Sequence, residues 1–92
     1  MIIPPTTLAE AVDQVQTWLT PDQLSAFAAK SEEDLNDYHF GLGMRIRNEF
    51  GLWDPSSSLL RDCEASQDRG GSIHPDDASM LILRALWARL HH

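Results

Sequence analysis

Helix-start signals recur along this chain of 92 residues, and they constrain its fold more than any other feature. Thr7 and Glu10 match the capping-box pattern, in which a threonine hydroxyl and a glutamate carboxylate each accept a hydrogen bond from a backbone amide at the helix start. Thr20 and Gln23 repeat that pattern, and Pro21 stands at the first helical position, where a missing amide hydrogen costs nothing. Helix-start signals begin at Thr7, Thr20, Ser31, Asp54 and His74.

Apolar residues follow these signals at the three- and four-residue spacing of a helix face. An alternating pattern typical of a strand does not occur over any useful length. We therefore expect an all-α fold, a compact bundle of four to five short helices, with a long central helix at about 32–50 and a C-terminal helix at about 75–90. The last helix is apolar nearly all round, which predicts a central position. We expect a single domain over residues 1–92, with a flexible loop at 66–73.

Negative charge is concentrated in the N-terminal part of the chain. The formal net charge is −7, and residues 1–40 hold seven acidic residues and one base, Lys30. Nucleic acids and anionic membranes require a basic surface, so neither is an expected partner. A basic protein partner would suit this charge, and the alternative is a solvated face that aids solubility. The predicted partner-binding acidic face consists of Glu32, Glu33, Asp34 and Asp37.

Several kinds of protein are disfavoured by what the sequence lacks. Cys63 is the single cysteine, which leaves no intramolecular disulfide and no cysteine-based zinc site. Its neighbours Asp62 and Glu64 are expected to raise the pKa of the thiol. The N-terminus does not resemble a signal peptide, and no apolar run approaches about 18 residues, so we predict a cytoplasmic protein. We assign no role to His91–His92, which are either native or part of a tag.

Two glycines interrupt the predicted central helix. Gly41 and Gly43 each cost about 1 kcal/mol relative to alanine in a helix interior, so a compensating contact is expected. They point about 200° apart and cannot serve one contact. We expect one of them to permit a close helix crossing; an exposed backbone or a kink are the alternatives. Gly51 is expected to end the helix in the left-handed conformation.

A stripe of polar residues is predicted on the same helix. His39, Gly43 and Arg47 are spaced four residues apart and share a face. We expect an aspartate at the start of the last helix to pair with Arg47 or His39, forming a network that pins that start to the central helix. Asn48 is expected to bond carbonyl groups near Leu52. The polar cluster, structural or binding, comprises His39, Arg47, Asn48, His74, Asp76 and Asp77.

Two chemical alternatives for the polar cluster stay open. Its histidines and aspartates are permissible metal ligands, but they lack a metal-binding spacing, and Arg47 would repel a cation. A histidine paired with Asp77 would serve as a general base in an enzyme. No nucleophile elbow, phosphate loop or dinucleotide fingerprint accompanies that pair. We therefore predict no metal, no cofactor and no catalytic residue.

Three segments are similar to a small bacterial family known as a domain of unknown function: TLAEAVDQ at 7–14, SEEDLNDYHFGLGMRIRNEFGLW at 31–53 and IHPDDASMLILRALWARL at 73–90. The family is typified by HFGLGxxIRNxxGLW and HPDD segments, and the resemblance covers about residues 4–90. The resemblance implies a fold and a motif set without an activity. It also implies small stand-alone cytoplasmic proteins, some of them immunity or accessory proteins.

The function that the sequence favours is protein–protein binding. We expect a small acidic cytoplasmic protein, in its most concrete form an immunity- or antitoxin-type inhibitor that covers a basic site. One alternative is a small-ligand or enzymatic site around His39, Arg47, His74 and Asp77.

The other alternative is a homodimeric structural module, so the protein is expected to be a monomer or a homodimer. Its apolar surface would lie around Phe40, Leu52 and Trp53. Core packing is the default expectation for the three tryptophans. An exposed Phe40 or Trp53 would instead be an aromatic anchor of an interface.

Overall fold

Helices form all the regular secondary structure in the part of the chain that the structure describes. The computed structural model describes residues 5–54, 56–66 and 73–91. The expected all-α bundle is confirmed, and its radius of gyration is 12.5 Å. In chain order the elements are α1 (Leu8–Trp18), α2 (Pro21–Ala29), a 3₁₀-helix (Glu33–Tyr38), a π-helical turn (His39–Gly43), α3 (Met44–Glu49), α4 (Ser58–Ala65) and α5 (Pro75–Leu90).

The first two helices begin at their predicted caps. The Thr20 hydroxyl accepts a hydrogen bond from the Gln23 amide, and the Gln23 side chain accepts one from the Thr20 amide, which completes the capping box. The Thr7 hydroxyl accepts from the Glu10 amide. The Glu10 carboxylate, however, accepts from the amide and the hydroxyl of Thr6, one residue earlier than predicted. These hydrogen bonds hold the pKa of Glu10 below its usual value.

The central helix is continuous but changes its hydrogen-bond pattern twice. A 3₁₀-helix passes into a π turn and then into α3, so helical turns run from Glu33 to Glu49. The prediction of one helix at about 32–50 holds for its extent and misses these changes. The π turn has the sequence HFGLG, and its two glycines weaken the preference for regular α-helix at this point.

The fourth helix begins later than its predicted start at Asp54. The Asp54 carboxylate accepts hydrogen bonds from the amide and hydroxyl of Ser56, which makes a local turn instead of a cap. These bonds lower the pKa of Asp54. Ser57 is the cap of α4, and its hydroxyl accepts from the Leu60 amide at 3.2 Å.

Helix α5 lies at the centre, as its apolar sequence predicts. It contacts each of the other four α-helices as well as the 3₁₀-helix and the π turn. Its residues Ile82, Leu83 and Leu86 are fully buried. The core around it draws on α1, α2, α3 and α4. Its buried apolar members include Ala11, Val12, Val15, Phe27, Leu35, Ile46, Phe50, Leu52, Leu59, Leu60, Cys63, Ile73, Ala78 and Met80.

Side chains from other elements satisfy exposed helix ends. The Asp62 carboxylate of α4 accepts a 2.7 Å hydrogen bond from the Leu8 amide at the start of α1. At the end of α2, the Trp87 indole donates to the carbonyl of Lys30, and His91 Nε2 donates to the carbonyl of Ala28, each at 2.8 Å. The last carbonyls of a helix have no hydrogen-bond partner inside that helix, and these two bonds supply partners for them. The same bonds join α2 to the end of α5.

The structure does not test two of the sequence predictions. Residues 67–72 lie outside the described residues, so the flexible loop at 66–73 stays a prediction, as does the single domain over 1–92. Among the helices that the structure describes, none is both long enough and apolar enough to cross a membrane.

Candidate functional site

Arg47 is the centre of the polar cluster. Its side chain projects from α3 into the interior, and the residue is 2% exposed. Its Nη1 donates a 2.9 Å hydrogen bond to Ser79 Oγ on α5, and its Nε lies 3.3 Å from Asp76 Oδ1. The predicted pairing of Arg47 with the start of the last helix is therefore present. A buried guanidinium needs such partners, because its positive charge is costly away from water.

The first turn of α5 is organised to receive Arg47. Ser79 Oγ accepts from Arg47 and donates a 2.8 Å hydrogen bond to the Asp76 carbonyl, so both roles of the hydroxyl are used. His74 is the N-cap of α5, and its Nδ1 accepts a 3.1 Å hydrogen bond from the Asp76 amide. The Asp76 carboxylate also lies near this ring, with Oδ2 at 3.7 Å from Nδ1.

Trp53 closes the exposed side of the cluster. Its indole donates a 3.0 Å hydrogen bond to Asn48 Oδ1. The partner of Asn48 is therefore the Trp53 side chain, whereas the sequence predicted backbone carbonyl groups near Leu52. The Trp53 ring meets the His74 ring edge-on at 6.3 Å, and the Arg47 guanidinium carbon lies 6.0 Å from its centre. Trp53 is 55% exposed, so the expectation of core packing is wrong for this tryptophan.

The turn after α3 sets the position of Trp53. Gly51 has a φ of 65°, and the Leu52 amide donates a 3.0 Å hydrogen bond back to the Arg47 carbonyl. This is the pattern of a helix end with a left-handed glycine, as the sequence predicts. Leu52 is fully buried, so it cannot contribute to the exposed apolar surface that was predicted around it.

Gly43 is the glycine that permits close packing. A Cβ placed on it would lie 3.2 Å from the Tyr38 carbonyl oxygen, 3.3 Å from Arg47 Nη1 and 3.6 Å from Ser79 Oγ. A Cβ on Gly41 would meet nothing within 4 Å. The predicted close approach of two helices is therefore confirmed for Gly43 and not for Gly41. It occurs where Arg47 donates its hydrogen bond to Ser79 of α5.

One predicted member of the cluster falls outside it, and another is not tested. Asp77 is exposed, and Asp76 is the aspartate that faces Arg47. The His39 backbone begins the π turn, but its side chain lies outside the described part, so its predicted role is untested. Across residues 5–54, 56–66 and 73–91, no group of three or more His, Cys, Asp or Glu residues is placed to hold a metal ion.

Comparison with known proteins gives one match. A protein-family model, described as a domain of unknown function (DUF6794), matches residues 4–90. The chain belongs to this family. The match confirms the resemblance to a domain of unknown function over that range. No curated protein and no solved structure matches the chain.

The acidic face of this DUF6794 chain lies on and just before the 3₁₀-helix. All four of its carboxylate residues are exposed, and none of them forms an ion pair with any other residue that the structure describes. Other exposed acids do have such partners, since Glu49 pairs with Arg45 and Asp13 with Arg89. Arg84 of α5 lines one cleft together with Glu32 and Glu33, although no ion pair forms between these described residues. The acidic face comprises Glu32, Glu33, Asp34 and Asp37.

Exposed apolar side chains of the DUF6794 chain lie on the other part of the central helix. Phe40 is 79% exposed, and Met44, one turn later, is 43% exposed. Phe40 and Trp53 thus satisfy the condition set for aromatic anchors. The sequence did not single out Met44, although its spacing of four residues from Phe40 is a signal that both share a face. Ser79 was also missed, and its signal is a hydroxyl inside an otherwise apolar helix.

Cys63 of the DUF6794 chain is a buried core residue. Burial, with smaller contributions from the charges of Asp62 and Glu64, raises the pKa of its thiol to about 11. The predicted direction is therefore present, with burial as the larger cause. Both acids also have structural roles, since Asp62 accepts from the Leu8 amide and Glu64 from the Ile73 amide. A thiol with a raised pKa is a poor nucleophile.

Proposed function

We propose that this DUF6794 chain acts by binding a basic protein partner through its acidic face, as an immunity- or antitoxin-type inhibitor does. The observation that carries the proposal is the set of four exposed carboxylates without an ion pair among the described residues. The cytoplasmic location and bacterial origin stay predictions from the sequence.

Spacing explains why these carboxylates favour a cationic partner. Positions 32–37 span about 10 Å of axis at the rise of a 3₁₀-helix, which is close to the Debye length of about 8 Å at physiological salt. Neighbouring charges on the face lie within about one Debye length of one another, so their mutual repulsion is only partly screened. A basic surface that covers the face would relieve this repulsion and would be attracted from a distance.

The polar cluster supports a structural role instead of a ligand site. Hydrogen bonds of 2.8–3.1 Å join Ser79 to Arg47 and to Asp76, and Asp76 to His74, and Arg47 Nε lies 3.3 Å from the Asp76 carboxylate. These contacts connect α3 to the start of α5. Their hydrogen-bonding groups are directed at each other, which leaves fewer of them for a substrate. The cluster holds in place the central helix that also carries the acidic face.

Affinity capture with matched variants tests the proposal. The double variant Glu33→Gln/Asp37→Asn removes two charges from the acidic face, and Glu49→Gln/Asp77→Asn removes two elsewhere by the same chemistry. Proteins from the native host are captured on wild type and both variants at low and high salt. We expect a basic protein that is retained by wild type and by the control, is lost with the acidic-face variant, and elutes as salt rises.

A functional readout completes that test. The captured protein is purified, and its activity, or its toxicity on expression, is measured with and without the DUF6794 chain. We expect inhibition by wild type and by the control variant, and weaker inhibition by Glu33→Gln/Asp37→Asn. Equal capture and equal inhibition by all three proteins would contradict the proposal.

A further inference from the structure

An apolar pocket opens beside the acidic face. It has a volume of about 170 Å³ and lies between the end of α1, the helix α2 and the turns that lead into α3. Phe27 and Tyr38 form one wall, with their rings edge-on and their centres 5.0 Å apart. The pocket is lined by Leu19, Gln23, Ala26, Phe27, Tyr38 and Leu42.

The size and lining of the pocket suit one side chain. An apolar cavity of about 150 Å³ in another protein admits benzene, so 170 Å³ accommodates an aromatic ring or a leucine side chain. Leu19, Tyr38 and Leu42 are only partly buried, so their remaining apolar surface faces the opening. Covering this surface would be favourable, because apolar area is removed from water.

The lining itself contains no acidic residue, but Asp22 and Asp37 each directly precede a lining residue, Gln23 and Tyr38 respectively. Asp22 lies four residues before Ala26 on α2, which places both on one side of that helix. Asp37 belongs to the 3₁₀-helix that ends at Tyr38, and Asp34 lies one turn earlier on that helix. All three acids are exposed, and none forms an ion pair within the ranges that the structure describes. An apolar side chain that enters here would therefore be followed by residues that meet negative charge.

We propose that the pocket receives one leucine or aromatic side chain from a partner segment in which lysine or arginine flanks that residue. The inference rests on the proposed function and adds the chemistry of the contact. Charge complementarity selects the basic segment and speeds its encounter, whereas the apolar side chain supplies an anchor in the middle of the contact.

Replacement of either of two alanines on α2 by methionine tests the role of the pocket. Ala26 lines it, whereas Ala29 is exposed on the same helix and does not. Ala26→Met places a long side chain in the opening, and Ala29→Met adds the same chemistry outside it. Methionine is a good helix former, so both variants should fold. Thermal unfolding of each variant checks this directly.

Synthetic peptides replace the unidentified partner. Each peptide carries several lysines and one guest position occupied by alanine, leucine or tryptophan, and a matched set carries glutamates instead of lysines. Binding to the whole chain is measured by two-dimensional NMR, which also reports whether Tyr38 and Leu42 respond. We expect the leucine and tryptophan peptides to bind at least about tenfold more tightly than the alanine peptide, with shifts at the pocket. The glutamate peptides should not bind.

The variants separate this inference from the proposed function. Ala26→Met should abolish the preference for leucine or tryptophan over alanine, and Ala29→Met should preserve it. Glu33→Gln/Asp37→Asn should weaken all the lysine peptides alike. If lysine peptides bind but the guest residue or Ala26→Met makes no difference, the pocket inference is wrong and the proposed function stands.

Two further outcomes would overturn the inference in other ways. If no lysine peptide binds, and Glu33→Gln/Asp37→Asn also captures and inhibits the same proteins as wild type, the proposed function and the pocket inference are both wrong. If light scattering shows that wild type self-associates and that Ala26→Met alone makes it monomeric, the pocket binds a second copy of the chain instead of a basic segment.

Discussion

The guanidinium of Arg47 donates a 2.9 Å hydrogen bond to the hydroxyl of Ser79, and this bond joins the short helix α3 to the central helix α5. The Ser79 hydroxyl in turn donates a hydrogen bond to the Asp76 carbonyl, so the position of the hydroxyl is fixed by two hydrogen bonds. Gly43 allows the approach, because a Cβ there would lie 3.3 Å from Arg47 Nη1. The bond therefore depends on a charged residue, a hydroxyl and the absence of a side chain.

Removal of the Arg47 charge should destabilise the protein. In Arg47→Met the Ser79 hydroxyl and the Asp76 carboxylate lose their cationic partner inside or beside the core. Loss of one partner from a buried ion pair typically costs about 3–5 kcal/mol, and the cost here should be about 2–4 kcal/mol since water still reaches Asp76. Urea unfolding followed by circular dichroism measures the free energy of unfolding.

Two other arginine variants serve as controls for this prediction. Arg61 is exposed on α4, so Arg61→Met should change the free energy of unfolding by less than about 0.5 kcal/mol. Arg47→Lys keeps the charge but cannot reproduce the forked contact to two partners, so it should fall between wild type and Arg47→Met. A loss in Arg61→Met as large as that in Arg47→Met would contradict the role given to Arg47.

The two glycines of the π turn should respond oppositely to alanine. Gly43→Ala brings a Cβ to 3.2 Å from the Tyr38 carbonyl oxygen, a backbone atom that cannot move freely, so we expect a loss of about 1–3 kcal/mol. Gly41→Ala enters open space and should gain about 0.5–1 kcal/mol from helix propensity. Thermal and urea unfolding of the two variants provide the comparison. Similar effects from both substitutions would show that the close contact at Gly43 does not matter.

Local signals account for the parts of the fold that the sequence predicts well. The caps at Thr7 and Thr20 involve residues three positions apart, and Gly51 is followed within one residue by the amide that closes the helix end. The pairing of Arg47 with α5 was also predictable, because a helix face and a helix start each restrict where a charge can lie. Such features depend on spacing along the chain.

Contacts that depend on tertiary packing were beyond the sequence. The choice of Asp76 over Asp77 follows from the rotation of α5 against α3, which no residue pattern specifies. Asn48 receives the Trp53 indole only because the turn at Gly51 folds Trp53 back over the helix. The change from 3₁₀ to π geometry was likewise not predictable, because propensity alone does not distinguish these helix types.

Acidic residues with different roles should differ in their effect on stability. Asp62 accepts a 2.7 Å hydrogen bond from the Leu8 amide, so Asp62→Ala, which removes the acceptor, should lower the free energy of unfolding by about 1–2 kcal/mol. Glu33→Gln/Asp37→Asn removes mutual repulsion from an exposed face, so stability should stay constant or rise slightly. Urea unfolding at low and at high salt measures both effects. A large loss in the acidic-face variant would show that these carboxylates are structural.

The buried thiol of Cys63 should make the fold weaker at alkaline pH. The thiol pKa is about 11 in the folded protein and near 9.0 when exposed, so the folded state binds the proton more tightly. This stability is fully present below pH 9.0, falls as the pH rises through the folded pKa, and amounts to about 3 kcal/mol for a two-unit shift. Urea unfolding between pH 8 and pH 11 should therefore show a steeper decline for wild type than for Cys63→Ala, since every other titrating group is shared. Parallel declines would mean that the thiol titrates alike in both states.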